Sequence, residues 1–467
     1  MRLILAAALG LSGVAATAQV SDDTTVRVHL FAAAPPPEVT VEVVGQPAAL
    51  TADGSVVATL TAGDRVDLRR RGGLVLVRHG AQEVSARHVR LDAAEVRVRG
   101  GSADRRYAGA LAAVVQGQTL LVVNHVPMDR YVASVVGAEL NFPELEALKA
   151  QAVLARTYAA RRAGRHLHHD LADDQTAQVY RGIGSVTETS RRATEETYGE
   201  VLTYYGALAD AYYFSSSGGH TADNEAIWDG TPVPYLRGVA DPFDAAAPDH
   251  SWRTSGSRPS VLRELSARYG GAVRGIEIER RSRSGRVLRV RLDGAERETI
   301  SGSQFRRAVN AAVGRRTVRS TKFDVWVEGD RYVFAGGGFG HGVGMSQYGA
   351  LGQSRAGRDY REILSFYFAG TVVSGGAAPQ LAVRDRPTPR SAQPVGHTPP
   401  PAAGTQGAAV PREPSALRTR YRPTSARSRP TPRRLTRDQV VDVAPGRPVL
   451  RREAPPASRP APRRTAW

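Results

Sequence analysis

Glu139 stands where an apolar residue is expected. Val132, Val135 and Val136 mark one face of a helical period, and position 139 is the next on that face. A carboxyl drawn out of water there has a raised pKa and suits a general acid, although a helix-terminal Glu can equally roll out to solvent. Lys149 and Arg156 lie seven residues apart, so on a helix they project within about 20° of each other. Of the 63 basic residues only Lys149 and Lys322 are lysine. A chain that writes almost every cation as arginine has kept a compact ammonium at 149, by requirement or by drift.

Ser215-Ser216-Ser217-Gly218-Gly219-His220-Thr221 gathers hydroxyls and closes on a histidine, as a sugar-lining loop or a plain turn would. Neither this stretch nor Gly344-Met345-Ser346-Gln347-Tyr348 contains the G-x-S-x-G elbow of a serine hydrolase. Gly336 to Gly344, around His341, is dense in glycine, which lets a backbone turn tightly against a ligand. No G-K-[ST] follows it, so it is not a Walker loop. His166, His168, His169 and Asp170 resemble a metal cluster, but no zinc spacing completes them and an exposed His-rich turn is expected.

These residues need elements to hold them. From Thr25 to Val123 short alternating runs (Val26 to Leu30, Leu74 to Val77, Val96 to Val98, Leu120 to Val123) predict a β-rich region. Pro127 suits a first helical position, with a helix running from Met128 to Leu140. Asn141-Phe142-Pro143 breaks it, and a second helix is predicted from Glu144 to about Arg162, packed through Leu145, Leu148, Ala152, Ala155 and Ala159 and stopped at Gly164. Val287 to Leu292 and Phe323 to Val327 read as strands, and Arg361 to Phe368 as a last short helix. The fold class is α+β, one large domain or two intimately packed ones, without an internal repeat.

At 467 residues and 41% hydrophobic content the chain can bury a sizeable core. It has no cysteine, which excludes disulfides, thiolate metal sites and a cysteine nucleophile. The formal charge of +18 suggests a nucleic-acid binder until it is located. Residues 379–467 hold eighteen Arg against five acidic residues, a net +13, together with eighteen of the 29 prolines. Only +5 is left for the other 378 residues. Residues 378–467 are therefore expected to be a disordered basic tail, suited to anionic envelope polymers rather than to nucleic acid. Arg2, an apolar run from Leu3 and Ala16-Thr17-Ala18 predict a cleavable signal over 1–18, and no later run approaches the ~20 apolar residues of a membrane span. Export to the periplasm or cell envelope is the expectation.

Val126-Pro127-Met128-Asp129-Arg130-Tyr131 through Val135-Val136-Gly137-Ala138-Glu139 resembles the opening block of the SpoIID/LytB family. Leu148-Lys149-Ala150-Gln151-Ala152-Val153-Leu154-Ala155-Arg156-Thr157-Tyr158-Ala159 is similar to its second block. Gln178 to Gly182, the Ser215–Thr221 loop with Glu225 and Trp228, Pro234 to Leu236, and Gly340 to Ala350 follow in family order. The resemblance implies a catalytic domain over 24–376, with core motifs at 126–240 and 336–371. It also implies a lytic transglycosylase that cuts peptide-stripped peptidoglycan strands between MurNAc and GlcNAc, leaving a 1,6-anhydro end. Some members are amidase enhancers, so the alternative is a non-catalytic wall-binding partner of an N-acetylmuramoyl-L-alanine amidase. Carried over by resemblance, Glu139 is the acid/base, Lys149 and Arg156 lie near the substrate, and Ser215, Ser216, Ser217, His220 and Gln347 line the groove. Some relatives carry a cysteine pair, suggestive of zinc, where Ala172 and Ala177 stand here; no metal and no cofactor are expected.

Overall fold

Residues 24–375, apart from Asp229, are described by the computed structural model; the expected signal segment (1–18) and tail (378–467) lie outside them. From Thr25 to Pro127 the alternation of the sequence becomes alternation of burial. In Glu38–Val43, Val39, Val41 and Val43 are buried, while Thr40 and Glu42 turn outward to Asp67 and Arg65. Twelve such strands build two sheets, one of six strands and one of seven, the seventh being the short strand Leu171–Ala172, parallel to Thr25–Leu30. Their inner faces close a single core.

Eight helices follow among the described residues: α1 (Met128–Glu139), α2 (Leu145–Arg162), α3 (Glu188–Glu196), α4 (Asn224–Trp228), α5 (Arg258–Tyr269), α6 (Gly302–Val313), α7 (Gln347–Arg355) and α8 (Tyr360–Tyr367). The protein is thus α+β, and no helix among the described residues is long and apolar enough to cross a membrane. Pro127 is not the first helical residue. It pairs with Thr25 at the end of the preceding strand and caps α1 with an extended ψ of 141°. The second helix starts one residue later than expected, with Glu144 as its cap.

α2 is the axis of the fold. The expected stripe of Leu148, Ala152, Ala155 and Ala159 packs on the sheet core. Its opposite side, Ala147, Ala150, Val153 and Leu154, enters a second core with Leu202, Tyr235, Met345 and the α8 residues Ile363 and Leu364. Alanine at so many positions lets neighbours approach from every direction, so the helix is buried all round.

A third core lies between Trp252 and Phe334, where α5 and α6 pack on two three-stranded sheets. Trp252 faces Gly336 across adjacent antiparallel strands, so the chain enters and leaves this lobe at one place. It interrupts the second core, to which the chain returns at Val343.

Candidate functional site

α1 ends at Glu139, just where its buried valines give way to a cavity of about 520 Å³. The cavity wall comes from distant segments: Glu139, Tyr158 and Arg162 from the first two helices, Tyr213 and Ser215 from the serine loop, Arg306 from the inserted lobe, and His341 and Gln347 from the closing block. Among the described residues, Glu139 is the one carboxyl in that wall.

Burial raises the Glu139 pKa above the ordinary glutamate value, against the opposing pull of the Val179 amide, Gln347, Tyr213 and the more distant Arg181 charge. The Val179 N–H donates to Oε1 at 2.9 Å. Tyr213 is held by a relay: the Tyr131 hydroxyl donates to Gln178 Oε1 at 2.9 Å, and Gln178 Nε2 donates to the Tyr213 oxygen at 3.1 Å. With its lone pair taken, Tyr213 has its own proton free to face the carboxyl. Gln347 lies against the same carboxyl, while its Nε2 is buried without a well-formed hydrogen bond.

The other wall is aromatic. The Trp228 ring lies tilted at 4.6 Å from Tyr212 and 5.0 Å from His341, and His341 meets Phe214 at 5.4 Å. His341 accepts the Val343 N–H at Nδ1. Burial first, then the charge of Arg286, lowers its pKa to about 3, so the ring is neutral and serves as wall rather than as a proton carrier. Gly342, at φ +92°, has no room for a Cβ because the Arg286 guanidinium occupies that space.

The two cations expected near the substrate are placed elsewhere. Lys149 and Arg156 do share a side of α2, but that side faces α3. Arg156 is fully buried, with Nη2 at 2.7 Å from Asp129 and Nη1 donating to the Glu200 carbonyl at 3.1 Å. Lys149 pairs with Glu196 at 2.6 Å and Glu146 at 2.8 Å. Neither lines the cavity. Spacing fixed their common side but carried no information on what that side meets.

The serine loop divides. Ser215 and Gln347 reach the cavity, whereas Ser216 and Ser217 are buried on Asp244. That carboxylate accepts from Ser216 Oγ (2.8 Å), the Ser217 and Gly218 amides (both 2.9 Å) and Ser346 Oγ (2.8 Å), with His250 Nδ1 at 3.2 Å. Asp244 thus ties the serine loop, the closing block and the entrance to the lobe together. His220 turns to its own neighbour, the Thr221 carbonyl at 2.7 Å, and lines a separate small cavity with Arg283 and Ser284. Glu225 is ion-paired with Arg237, which lowers its pKa and removes it as an alternative acid. In the histidine turn, His166 stacks on His169 and Asp170 is taken by Arg27 at 2.7 Å. Among the described residues no three metal-binding side chains converge.

Asp244, Tyr213, Arg162 and Arg306 were given no site role from sequence, and Gln178 was named only as the first residue of a family block. Gln178 and Tyr213 lie in or beside segments that were noticed; the two arginines and Asp244 carry no local signal.

A family model described as "Stage II sporulation protein" (SpoIID) matches residues 116–204, the stretch holding α1, α2 and α3. Residues 250–344, the inserted lobe, match a domain of unknown function (DUF8618). The chain is 32% identical over 271 residues to an uncharacterized protein of Brachyspira hyodysenteriae, covering 56% of this chain and 71% of that one. It is 30% identical over 270 residues to stage II sporulation protein D of Bacillus subtilis, covering 54% and 76%. To the amidase enhancer of Bacillus subtilis it is 31% identical over 281 residues, covering 49% and 38%.

Proposed function

This chain belongs to the SpoIID family, and on that premise we propose that it is an exported lytic transglycosylase acting on peptide-stripped peptidoglycan strands. The observation that carries the reading is Glu139, the one carboxyl among the described residues of a cavity wall faced with Tyr212, Trp228 and Phe214, with its pKa raised. Rings of that kind offer flat apolar surfaces to sugar faces. Hydrolytic glycosidases use two carboxyl groups across the scissile bond, and among the described residues only one lines this cavity.

One group suffices if the sugar supplies its own nucleophile. Protonated Glu139 gives its proton to the glycosidic oxygen as the bond to C1 breaks. The carboxylate then takes the proton of the C6 hydroxyl as O6 bonds to C1, closing the 1,6-anhydro ring and regenerating the acid. Val179 N–H, Tyr213 and Gln347 steady the charged intermediate form of Glu139. Removal of residues 1–18 and attraction of the basic tail to anionic envelope polymers complete the reading.

Mass spectrometry of products from peptide-stripped strands tests it: anhydro-muramyl ends are expected. Reducing ends in their place refute the transglycosylase reading. Uncut strands, together with stimulation of an added N-acetylmuramoyl-L-alanine amidase, point instead to the role that the name of the amidase enhancer relative describes.

A further inference from the structure

The cavity contains two guanidiniums with no acidic partner among the described residues. Arg162, in the last turn of α2, lies 3.4 Å from the centre of the Tyr158 ring. It makes no ion pair among the described residues. Arg306, on α6 of the inserted lobe, gives Nε to the Val318 carbonyl at 3.0 Å and has no protein partner for its terminal nitrogens among the described residues. This is unlike Arg27, Arg161 and Arg237, half-buried arginines that each sit on a carboxylate.

The surroundings make the vacancy sharper. Arg286, fully buried behind Gly342, has Nε and Nη1 without partners and adds positive field, with Asp244 as its nearby counter-charge. Burial lowers the pKa of Arg306, as expected of a cation drawn partly out of water. A partly desolvated guanidinium is unfavourable until an anion arrives, and its planar fork fits a carboxylate through two parallel hydrogen bonds.

We propose that Arg306 and Arg162 form a carboxylate-reading subsite, through which the inserted lobe selects sugar rings bearing a free carboxylate over neutral rings. The proposal rests on the glycan reading above and adds to it the residues that read the strand. In a peptide-stripped strand every muramic acid ring presents a free lactyl carboxylate. Where a stem peptide remains, that group is an amide with no charge and a single acceptor oxygen. The charge at the lactyl group itself, rather than the bulk of the peptide, then separates the two kinds of strand.

The test uses full-length protein and two probes: peptide-stripped strands, and the same strands with the muramic carboxyl reduced to a primary alcohol. Glu139→Gln, which holds strands uncut, is expected to bind the carboxylate form about tenfold or more tightly, the size of one charge-assisted hydrogen bond. Adding Arg306→Gln is expected to bring that ratio close to one, Arg162→Gln to reduce it, and Arg306→Lys to keep part of it. In protein with Glu139 intact, kcat/KM for the two probes is expected to follow the same order. A preference untouched by Arg306→Gln, or no preference at all, overturns the proposal. Preference without cleavage keeps the subsite and removes the transglycosylase reading; cleavage without preference does the reverse. Failure to bind either probe overturns both.

Discussion

Replacing Tyr213 with Phe isolates one of the contacts that set the charge of Glu139. The substitution keeps the ring, which is in the cavity wall, and removes only the hydroxyl that faces the carboxyl. Three protein groups close on that carboxyl, the Val179 amide at 2.9 Å, Tyr213 and Gln347, and each favours the charged form against the desolvation that raises the pKa. A hydrogen bond to a charged group contributes about 1.5–3 kcal/mol, and 1.36 kcal/mol corresponds to one pH unit. Losing one such bond, with partial compensation from the other two, moves the midpoint by about one pH unit. The sign follows from the proposed chemistry, in which protonated Glu139 starts the reaction: kcat/KM falls as pH rises through its pKa. Tyr213→Phe destabilises the carboxylate, raises the pKa further and carries the falling limb to higher pH. The assay is the pH profile of kcat/KM on peptide-stripped strands, beside a carbon-13 titration of labelled glutamate carboxyls. A limb that stays in place or moves to lower pH refutes the assigned role of the Tyr213 hydroxyl.

Glu139→Gln is expected to lower cleavage at least about a hundredfold. Because its folded pKa lies above the unfolded value, ionisation of Glu139 weakens the fold as pH rises, so the same variant should be more stable than the parent in urea at pH 8 but not at pH 4. Asp241, raised to about 6 mainly by burial, follows the same sign: Asp241→Asn should add up to about 3 kcal/mol above pH 6 and nothing below the unfolded value near 3.8, read by urea denaturation across pH. Arg156→Ala leaves Asp129 without its partner and the Glu200 carbonyl without its donor, at a cost of about 3–5 kcal/mol in urea, while KM of the folded fraction stays near that of the parent. Asp244→Ala orphans the Ser216 and Ser346 hydroxyls and two amides, and is expected to cost about 3 kcal/mol or more by the same measurement.

What the sequence made legible depended on the range of the interaction. Val39, Val41 and Val43 alternate because one face of a strand is buried, and that pattern is local. Glu139 was visible for the same reason, as a polar break in a periodic face of α1. Pro127 was misplaced by one position because pairing to Thr25, a hundred residues away in the chain, carries the strand through it. Arg156 and Lys149 show the limit of periodicity: it gives the angle around α2, but the neighbour on that side is α3, which follows much later. The hydroxyl run at Ser216 and Ser217 left a sugar-lining loop and a plain turn open, and the family resemblance made them groove residues, whereas Asp244, the acceptor of this loop, stands apart in sequence. The lobe between Trp252 and Gly336 showed no linker of distinctive composition, since its ends are paired strands rather than loops.

That pairing makes the lobe a graft. With Trp252 and Gly336 opposite one another, its two ends are about 5 Å apart, the spacing of neighbouring strands, and the host chain sees little more than a wide hairpin. The acid at Glu139 belongs to the host, while Arg306 arrives with the graft. On the proposed reading, bond breaking and substrate choice therefore reside in separate segments of the chain. Exchanging the segment is then expected to alter which polymer the cavity accepts while α1 and α2, which pack in the other two cores, stay in place.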